Sequence, residues 1–467
     1  MRSSHSVLVS RLSPVLLRTW TAHRKRQGPL LCALGVLLYV VSHLPVWHIP
    51  QRWESSVHAS SGTSVEDDPF HPSKFTVQGE PSQMFSRNLK PEHRYITGWI
   101  NSGWTNDVMT YGNLLYLALL TERIPIIGPF VPSHLSLSAG YLPFSEVFDI
   151  PRLARELHTP VLEWSDVKSP ESEVGEVMGC WSTWMGWGFG GGNARGGWVP
   201  DTFELDVSYT PIPPGAYDVN VDNDPHINFQ ALLPLAFPAG RAAALTQVSP
   251  TPSEGWNTTL PPSDHLLCFD MLYFARLGTS GAEWEEEYAP VWRLVGKHMH
   301  WAPPLREKAD AYLRAHWSVG DGEEIPPYIS VHMRRADFGQ YCTGSLSCMP
   351  TLAQLHRRVS EVQSQLVSLQ GLHISRVLVT SDERNPAWWS EVEGLGYTAI
   401  NHTALDTEGR FGEWYPSVLD SVFLSLGKGF VGTEGSTMSL LAKRRVEDWG
   451  GGVGTWLTWK GVPPEEL

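Results

Sequence analysis

Tyr328-Ile329-Ser330-Val331-His332-Met333-Arg334-Arg335-Ala336-Asp337-Phe338 is the stretch on which the reading of this chain turns. Its first four residues form an apolar run, the composition of a parallel strand buried on both faces. Ligands of an open α/β sheet bind outside the carboxyl ends of its strands, so the run predicts that His332 and the two arginines emerge at a crevice. Adjacent guanidiniums suit one task in particular, neutralising a diphosphate in a bidentate geometry that lysine cannot copy. The same arginines could instead make structural ion pairs with nearby carboxylates, and His332–Phe338 alone leaves this open.

A second segment adds weight. Phe430-Val431-Gly432-Thr433-Glu434-Gly435-Ser436-Thr437 reads as strand, tight turn and helix start, with Met438-Ser439-Leu440-Leu441-Ala442 continuing the helix. Glycine allows close backbone approach to a ligand. Hydroxyls and free N–H groups at a helix N-terminus, with the helix dipole behind them, favour an anion. Taken singly, the segment is better read as a plain N-cap.

Together the two segments resemble the fucosyltransferase superfamily that includes protein O-fucosyltransferases and α-1,6-fucosyltransferases. Its members look like His-x-Arg-Arg-x-Asp at one strand end, Thr/Ser-Asp after the next strand, and Ser-Ser or Ser-Thr opening a late helix. This chain has Ser381-Asp382 after Val377-Leu378-Val379-Thr380, and Asp420 upstream of Ser436 at the family's separation. Gly103-Trp104-Thr105-Asn106-Asp107 looks like the family's Gly-rich first turn ending in Asn-Gln, with Asp107 in place of Gln and one spacing residue different. The resemblance spans roughly residues 94–449, and only its C-terminal half is specific.

The resemblance implies a GT-B glycosyltransferase: two Rossmann-like domains facing across a cleft, using GDP-fucose to fucosylate a protein Ser/Thr or a glycan hydroxyl with inversion. It assigns Arg334 to the β-phosphate as the bond to fucose breaks, with Arg335 as second clamp or support. Ser436 and Thr437 would take other phosphate oxygens. His332 and Asp420 match positions that recognise guanine; a carboxylate accepting from the guanine N1 and N2 hydrogens explains that choice physically. Asp382 would shape the nucleotide pocket, Gly103 would lie in the donor-side turn, and Asn106 matches a catalytic Asn. Some relatives carry a Glu immediately before the Gly of the first turn, where this chain has Ser102. The general base therefore stays open among Asp107, Asp337 and Glu434. A fold that keeps donor binding but has lost turnover, acting as a lumenal nucleotide-sugar-binding or scaffold protein, is the alternative.

Cationic side chains and helix N-termini can stabilise a departing diphosphate without a metal. No Asp-x-Asp or His-rich ligand set stands beside the diarginine. Asp222-Asn223-Asp224 has that form but lies far upstream in a Pro-rich, loop-like stretch, where a solvated turn is the simpler reading. No required metal or other cofactor is therefore expected.

The 467 residues suffice for two domains, and the net charge of −14 argues against nucleic-acid binding through a basic surface. That charge is unevenly spread: no acidic residue precedes Glu54, while Arg2, Arg11, Arg18, Arg24, Lys25 and Arg26 precede an apolar run from Pro29 to about Trp47. Such a run can span a bilayer, at the short end of the usual ~17–25 residues. Its one-sided basic flank predicts a cytoplasmic N-terminus and a lumenal catalytic portion. A cleaved signal peptide competes, but no Ala-x-Ala-like site follows Leu44 closely. The expectation is a single-pass type II protein of the Golgi or endoplasmic reticulum: basic tail 1–28, transmembrane anchor 29–47, Ser/Pro/Gly-rich stem 48–91, acceptor-side domain 92–300 and donor-binding domain 301–467.

Cys180, Cys268, Cys342 and Cys348 lie beyond the apolar run. In an oxidising compartment they allow two disulfides in three pairings, or four buried thiols. Asn257-Thr258-Thr259 and Asn401-His402-Thr403 match the N-glycosylation pattern. Tyr95–Ile100, a Gly turn and a helix through Leu120 read as a β-turn-α opening, with Ile124–Ile127 as the next strand. From Leu305 helices and strands alternate, with apolar residues at helical spacing from Leu352 to Leu366 and a strand read at Tyr397–Ile400, predicting a parallel sheet covered on both faces. Residues 163–264 are dense in Trp, Gly and Pro and resist tracing. Trp181, Trp184, Trp187 and Trp198 could stack on sugars, though core or interface positions are commoner for Trp. The glycine run at 186–192 lacks the strand and helix of a phosphate loop.

Overall fold

The computed structural model describes residues 68–186, 192–216, 226–277, 284–320, 322–341 and 349–458. The basic tail, the apolar run at 29–47, the acidic motif at 222–224 and the cysteines at 342 and 348 lie outside them. Among the described residues no helix is long and apolar enough to cross a membrane.

Twelve strands are described. The first sheet contains β1 (Tyr95–Gly98), β2 (Ile124–Ile127), β3 (Leu162–Glu163), β4 (Glu176–Ser182), β5 (Leu205–Pro211) and β7 (Leu266–Phe269). They run parallel in the order β3-β2-β1-β7-β4-β5. A small parallel pair, β6 (Ile227–Asn228) and β8 (Ala275–Arg276), stands apart. The second sheet contains β9 (Ile329–Met333), β10 (Val377–Ser381), β11 (Gly429–Thr433) and β12 (Val453–Leu457), parallel in the order β10-β9-β11-β12. Its strand order reverses between β9 and β11, and that of the first sheet reverses between β1 and β7. Such reversals are the topological switch points at which open α/β sheets hold ligands.

Six helices frame these sheets: α1 (Trp104–Thr121), α2 (Pro303–Trp317), α3 (Leu352–Gln370), α4 (Pro386–Gly394), α5 (Tyr415–Ser425) and α6 (Thr437–Gly450). Their ends follow from local chemistry. A capping box of Thr351 and Gln354 starts α3, and Gly371 ends it in the left-handed region. Proline at the first helical turn starts α2 and α4. Ser436 caps α6 by accepting from the Ser439 N–H at 3.4 Å. Gly435, at φ +76°, makes the turn out of β11 that a side chain would strain.

Leu355, Val359, Val362 and Leu366 of α3 pack on Ile329, Val331 and Val431 of the second sheet. The other core is continuous from β1, β2 and α1 through Tyr312 and Leu313 of α2 to Val418, Leu419 and Val422 of α5. A buried disulfide, Cys180–Cys268, joins the neighbouring strands β4 and β7 and accounts for one of the three allowed pairings.

Two expectations are corrected. Residues 68–91, read as part of a stem, are folded onto the first sheet's half of the molecule. Phe85 and Leu89 are buried there, Glu176 accepts the Phe85 and Ser86 N–H groups, and the Asn88 amide donates to the Val167 carbonyl. Their apolar anchors are isolated in the sequence, so no periodicity marks them. Tyr397–Ile400, read as a strand, contributes a single bridge between Leu378 and Thr398.

Candidate functional site

The diarginine leaves the C-terminal end of β9 at the switch point, held by its backbone. Arg334 N–H donates to Thr433 Oγ1 at 3.0 Å, tying the end of β9 to that of β11. Asp382, which follows β10, accepts from the N–H groups of Arg335 (2.7 Å) and Ala336 (3.2 Å) through Oδ1. Its Oδ2 lies 3.2 Å from Arg334 Nε. Asp382 thus grips the loop that presents the arginines.

Asp337 takes the Arg334 Nε and Nη2 edge in a bidentate pair, both contacts at 2.7 Å. Nη1 has no partner among the described residues. Burial works against the Arg334 charge, but the Asp337 hydrogen bond and the Asp382 and Asp337 charges outweigh it and raise its pKa. The hydrogen bond from Arg334 likewise holds Asp337 below the usual carboxylate range, so it is ionised and fully engaged. Arg335 donates to Glu383 at 2.8 Å and lies over the Trp388 ring at 5.1 Å. Both ion pairs allowed for by the sequence therefore exist, and they orient the guanidiniums.

His332 lies behind this loop, 3% exposed, its Nδ1 hydrogen-bonded to Ser439 Oγ at 2.7 Å. Burial first, then the Arg334 charge, push its pKa down to about 3, so the imidazole is neutral. With Nδ1 engaged by Ser439, Nε2 is the nitrogen left to meet a ligand. Ser439 also accepts the Thr433 N–H at 3.1 Å, which locks the start of α6 to β11 and β9 together.

The two halves meet at their switch points. Thr105 Oγ1, in the first turn of α1 after β1, lies 2.7 Å from Thr437 Oγ1, the first residue of α6 after β11. Next to it, Trp104 Nε1 donates to Ser421 Oγ on α5 at 2.9 Å. Two helix N-termini therefore converge next to the end of β11, to which the Arg334 backbone is tied through Thr433. The N-cap of α1, Gly103, supplies no side-chain acceptor to its first turn. Each N-terminus carries roughly half a positive charge, so their convergence favours an anion between or beside them. Gly103 also makes room for His134: a Cβ there would sit 2.8 Å from the imidazole.

Asn106 is half-buried in this turn, its carbonyl accepting from Thr110 Oγ1 at 2.9 Å. Asp107 is buried beneath it; Oδ1 accepts the Ser102 N–H at 3.0 Å, while Oδ2 has no partner among the described residues. Burial pushes its pKa up to about 8 against the pull of the Ser102 N–H and the Arg195 charge. Glu434 is exposed on the turn before α6. Of the three candidate bases, Asp337 is occupied by Arg334, Asp107 is withdrawn from solvent and Glu434 is solvent-exposed.

Asp420, on α5, is partly exposed, and its Oδ1 lies 3.1 Å from His402 Nε2. Sequence reading passed over His402, His134, Thr105 and Ser439. His402 carried a signal only as the middle residue of a glycosylation pattern, and Thr105 only as a spacer in the first turn. Among the described residues no group of three His, Cys, Asp or Glu side chains could hold a metal ion.

No protein-family model matches this chain, and no curated protein matches it. Solved structures do. The crystal structure of POFUT1 in complex with GDP (crystal form III) superposes with a TM-score of 0.50 at 15% identity, covering 79% of this chain and 99% of that one. The POFUT1 apo form gives 0.49 at 16% identity over 79% and 99%. The fucosyltransferase NodZ from Bradyrhizobium gives 0.36 at 15% identity over 75% and 93%. The fold is fucosyltransferase-like. It is a mixed α/β fold of parallel sheets, and the coverage of POFUT1 by this chain is nearly complete.

Arg334, Arg335, His332, Asp382, Ser436 and Thr437 come together around the β9–β11 switch point. Gly103 and Asn106 approach them from the first sheet through Thr105. Asp420, next to Ser421 along α5, is turned toward His402, and among the described residues no hydrogen bond joins it to the group around Arg334.

Proposed function

We propose that this protein is a fucosyltransferase that takes fucose from GDP-fucose and transfers it, with inversion and without a required metal, to a protein Ser/Thr or a glycan hydroxyl. The observation that carries the reading is the 2.7 Å contact of Thr105 with Thr437, which brings two helix N-termini together next to the β9–β11 strand ends from which the Arg334 loop leaves. A diphosphate matches that charge. The fold likeness to a protein solved with GDP supports the same donor.

In this reading the acceptor oxygen attacks C1 of fucose as the bond from C1 to the β-phosphate oxygen breaks; the electron pair leaves with GDP and the acceptor proton passes to a base or water. The growing charge on the β-phosphate meets Arg334, whose unpartnered Nη1 edge is oriented by Asp337 and Asp382. Preorganised donors of this kind stabilise the transition state without reorganisation at the moment of reaction. Ser436, Thr437 and the first N–H groups of α6 take the remaining phosphate oxygens, with Arg335 in support. Asp420 accepts from guanine N1 and N2, and His332 Nε2 lies on the base side. Asn106 stands where the acceptor and fucose would meet.

The enzyme is placed in the Golgi or endoplasmic reticulum as a single-pass type II membrane protein. The buried Cys180–Cys268 disulfide supports an oxidising compartment, and the basic tail and apolar run support the orientation. In this reading the catalytic portion divides near residue 300, between β7 (Leu266–Phe269) of the first sheet and β9 (Ile329–Met333) of the second.

Calorimetry on the purified protein tests the nucleotide: GDP should bind more tightly than UDP or ADP, equally with and without EDTA. Equal affinity for UDP, or loss of binding on chelation, overturns the reading. Release of fucose from GDP-fucose separates a working enzyme from a fold that binds donor without turnover.

A further inference from the structure

We propose that His402 is a positioning residue for base recognition: it holds Asp420 aimed so that the carboxylate reads the guanine amino group. The inference rests on the reading of Asp420 given above and deepens it. His402 Nε2 lies 3.1 Å from Asp420 Oδ1, and His402 Nδ1 lies 3.0 Å from Thr407 Oγ1. Thr407 Oγ1 in turn lies 2.9 Å from the Tyr312 hydroxyl.

One proton arrangement satisfies every member. A carboxylate can only accept, so Nε2 carries the hydrogen; Nδ1 then accepts from the Thr407 hydroxyl, and Thr407 accepts from the Tyr312 hydroxyl. The donors all point toward Asp420. The hydrogen bond made by one ring nitrogen of a histidine fixes the role of the other. The ring itself is held flat against Phe423, at 6.2 Å and 15°, with Tyr312 on a further side at 6.2 Å. Tyr312, Thr407 and Phe423 are buried, so the chain has a rigid base in the core between α2 and α5.

Oδ1 is thereby fixed, and Asp420 Oδ2 accepts from no described residue. A carboxylate with one oxygen anchored has lost its rotational freedom before the base arrives, and offers two oxygens at a set angle to two parallel N–H donors. Guanine presents that pair at N1 and N2; hypoxanthine presents only N1. His402 therefore governs the discrimination between these bases more than the grip on the diphosphate.

The test uses the full-length protein and two probes, GDP and inosine 5′-diphosphate, in calorimetric titrations. The parent should prefer GDP by roughly tenfold or more, the worth of a hydrogen bond to a charged group. Asp420→Asn should abolish that preference. His402→Leu should erode it several-fold while affinity for inorganic diphosphate stays unchanged, and His402→Gln, whose amide can donate to Oδ1, should restore most of it. Thr407→Val, which keeps the imidazole but frees Nδ1, should lie between and serves if His402→Leu does not fold. A preference intact in both His402→Leu and Thr407→Val, but lost in Asp420→Asn, overturns the role of His402 and leaves base reading by Asp420 standing. A preference that survives Asp420→Asn removes that base reading itself, and the inference with it.

Discussion

Thr105 and Thr437 share a hydrogen bond between their hydroxyls, 2.7 Å apart, across 332 residues of chain. Each opens a helix that follows the switch-point strand of its own sheet. The contact therefore registers the two halves of the molecule to each other at the point where a donor would lie. Thr105→Val and Thr437→Val should each weaken the fold slightly, and a double-mutant cycle by urea denaturation should return a coupling of about 0.5–1.5 kcal/mol. Additive effects would show that the halves are registered elsewhere.

Arg334 is expected to act mainly in the transition state, because the β-phosphate gains charge as the glycosidic bond breaks. Arg334→Ala should lower kcat by roughly 10²–10³-fold and weaken GDP-fucose binding far less. Arg334→Lys should rescue little, since one ammonium cannot replace the fork that Asp337 and Asp382 orient. Arg335→Ala should show the smaller, binding-weighted defect. Steady-state kinetics beside calorimetric donor affinity decide the matter; near-normal turnover in Arg334→Ala rejects the assignment.

Asp107 should make stability fall as pH rises. Burial lifts its folded pKa to about 8 from the ordinary 3.8. Between those values the unfolded chain has lost the proton and the folded chain keeps it, so stability that is full below pH 3.8 drains away up to about pH 8. Asp107→Asn keeps an acceptor for the Ser102 N–H and removes this slope. Relative to the parent, the variant should gain on the order of 1–3 kcal/mol between pH 4 and pH 7.5. Urea midpoints at the two pH values measure it, and parallel pH profiles would count against a raised pKa.

Asn257 and Asn401 are both exposed, and so are Thr259 and Thr403, the hydroxyl residues of their acceptor patterns. If the catalytic portion is lumenal, protein from secretory cells should lose mass on deglycosylation. Asn257→Gln and Asn401→Gln should each remove one step of that shift. An unshifted band would argue for the cytosolic side.

The donor half of the fold was legible because its signals are local. The runs Tyr328–Val331 and Val377–Thr380 and the strand read from Phe430 became β9, β10 and β11, and the helical spacing from Leu352 to Leu366 became α3. The motif residues at those strand ends then fell together, because a parallel sheet puts all its strand ends on one side. The region from 163 to 264 resisted because its order comes from distant contacts. β4 contains Gly179, where a Cβ would lie 2.1 Å from the Pro261 carbonyl oxygen, so a residue that reads as a strand breaker marks a close crossing of backbones. Trp181, a candidate sugar platform in the sequence, is fully buried in that strand, while Trp198 is exposed. The network of His402, Thr407 and Tyr312 joins residues up to 95 positions apart, with no spacing rule to announce it.

The Cys180–Cys268 bridge also has a topological meaning. It joins positions 88 apart in sequence and closes the chain between them into a covalent ring whose two ends are anchored on adjacent strands. A protease that cuts once inside the ring, for instance beside exposed Trp256, opens the backbone without dividing the molecule. The products migrate as one species until a reductant is added, and then as two. Processing within this span thus yields a nicked but undivided protein, with both pieces still tied to β4 and β7.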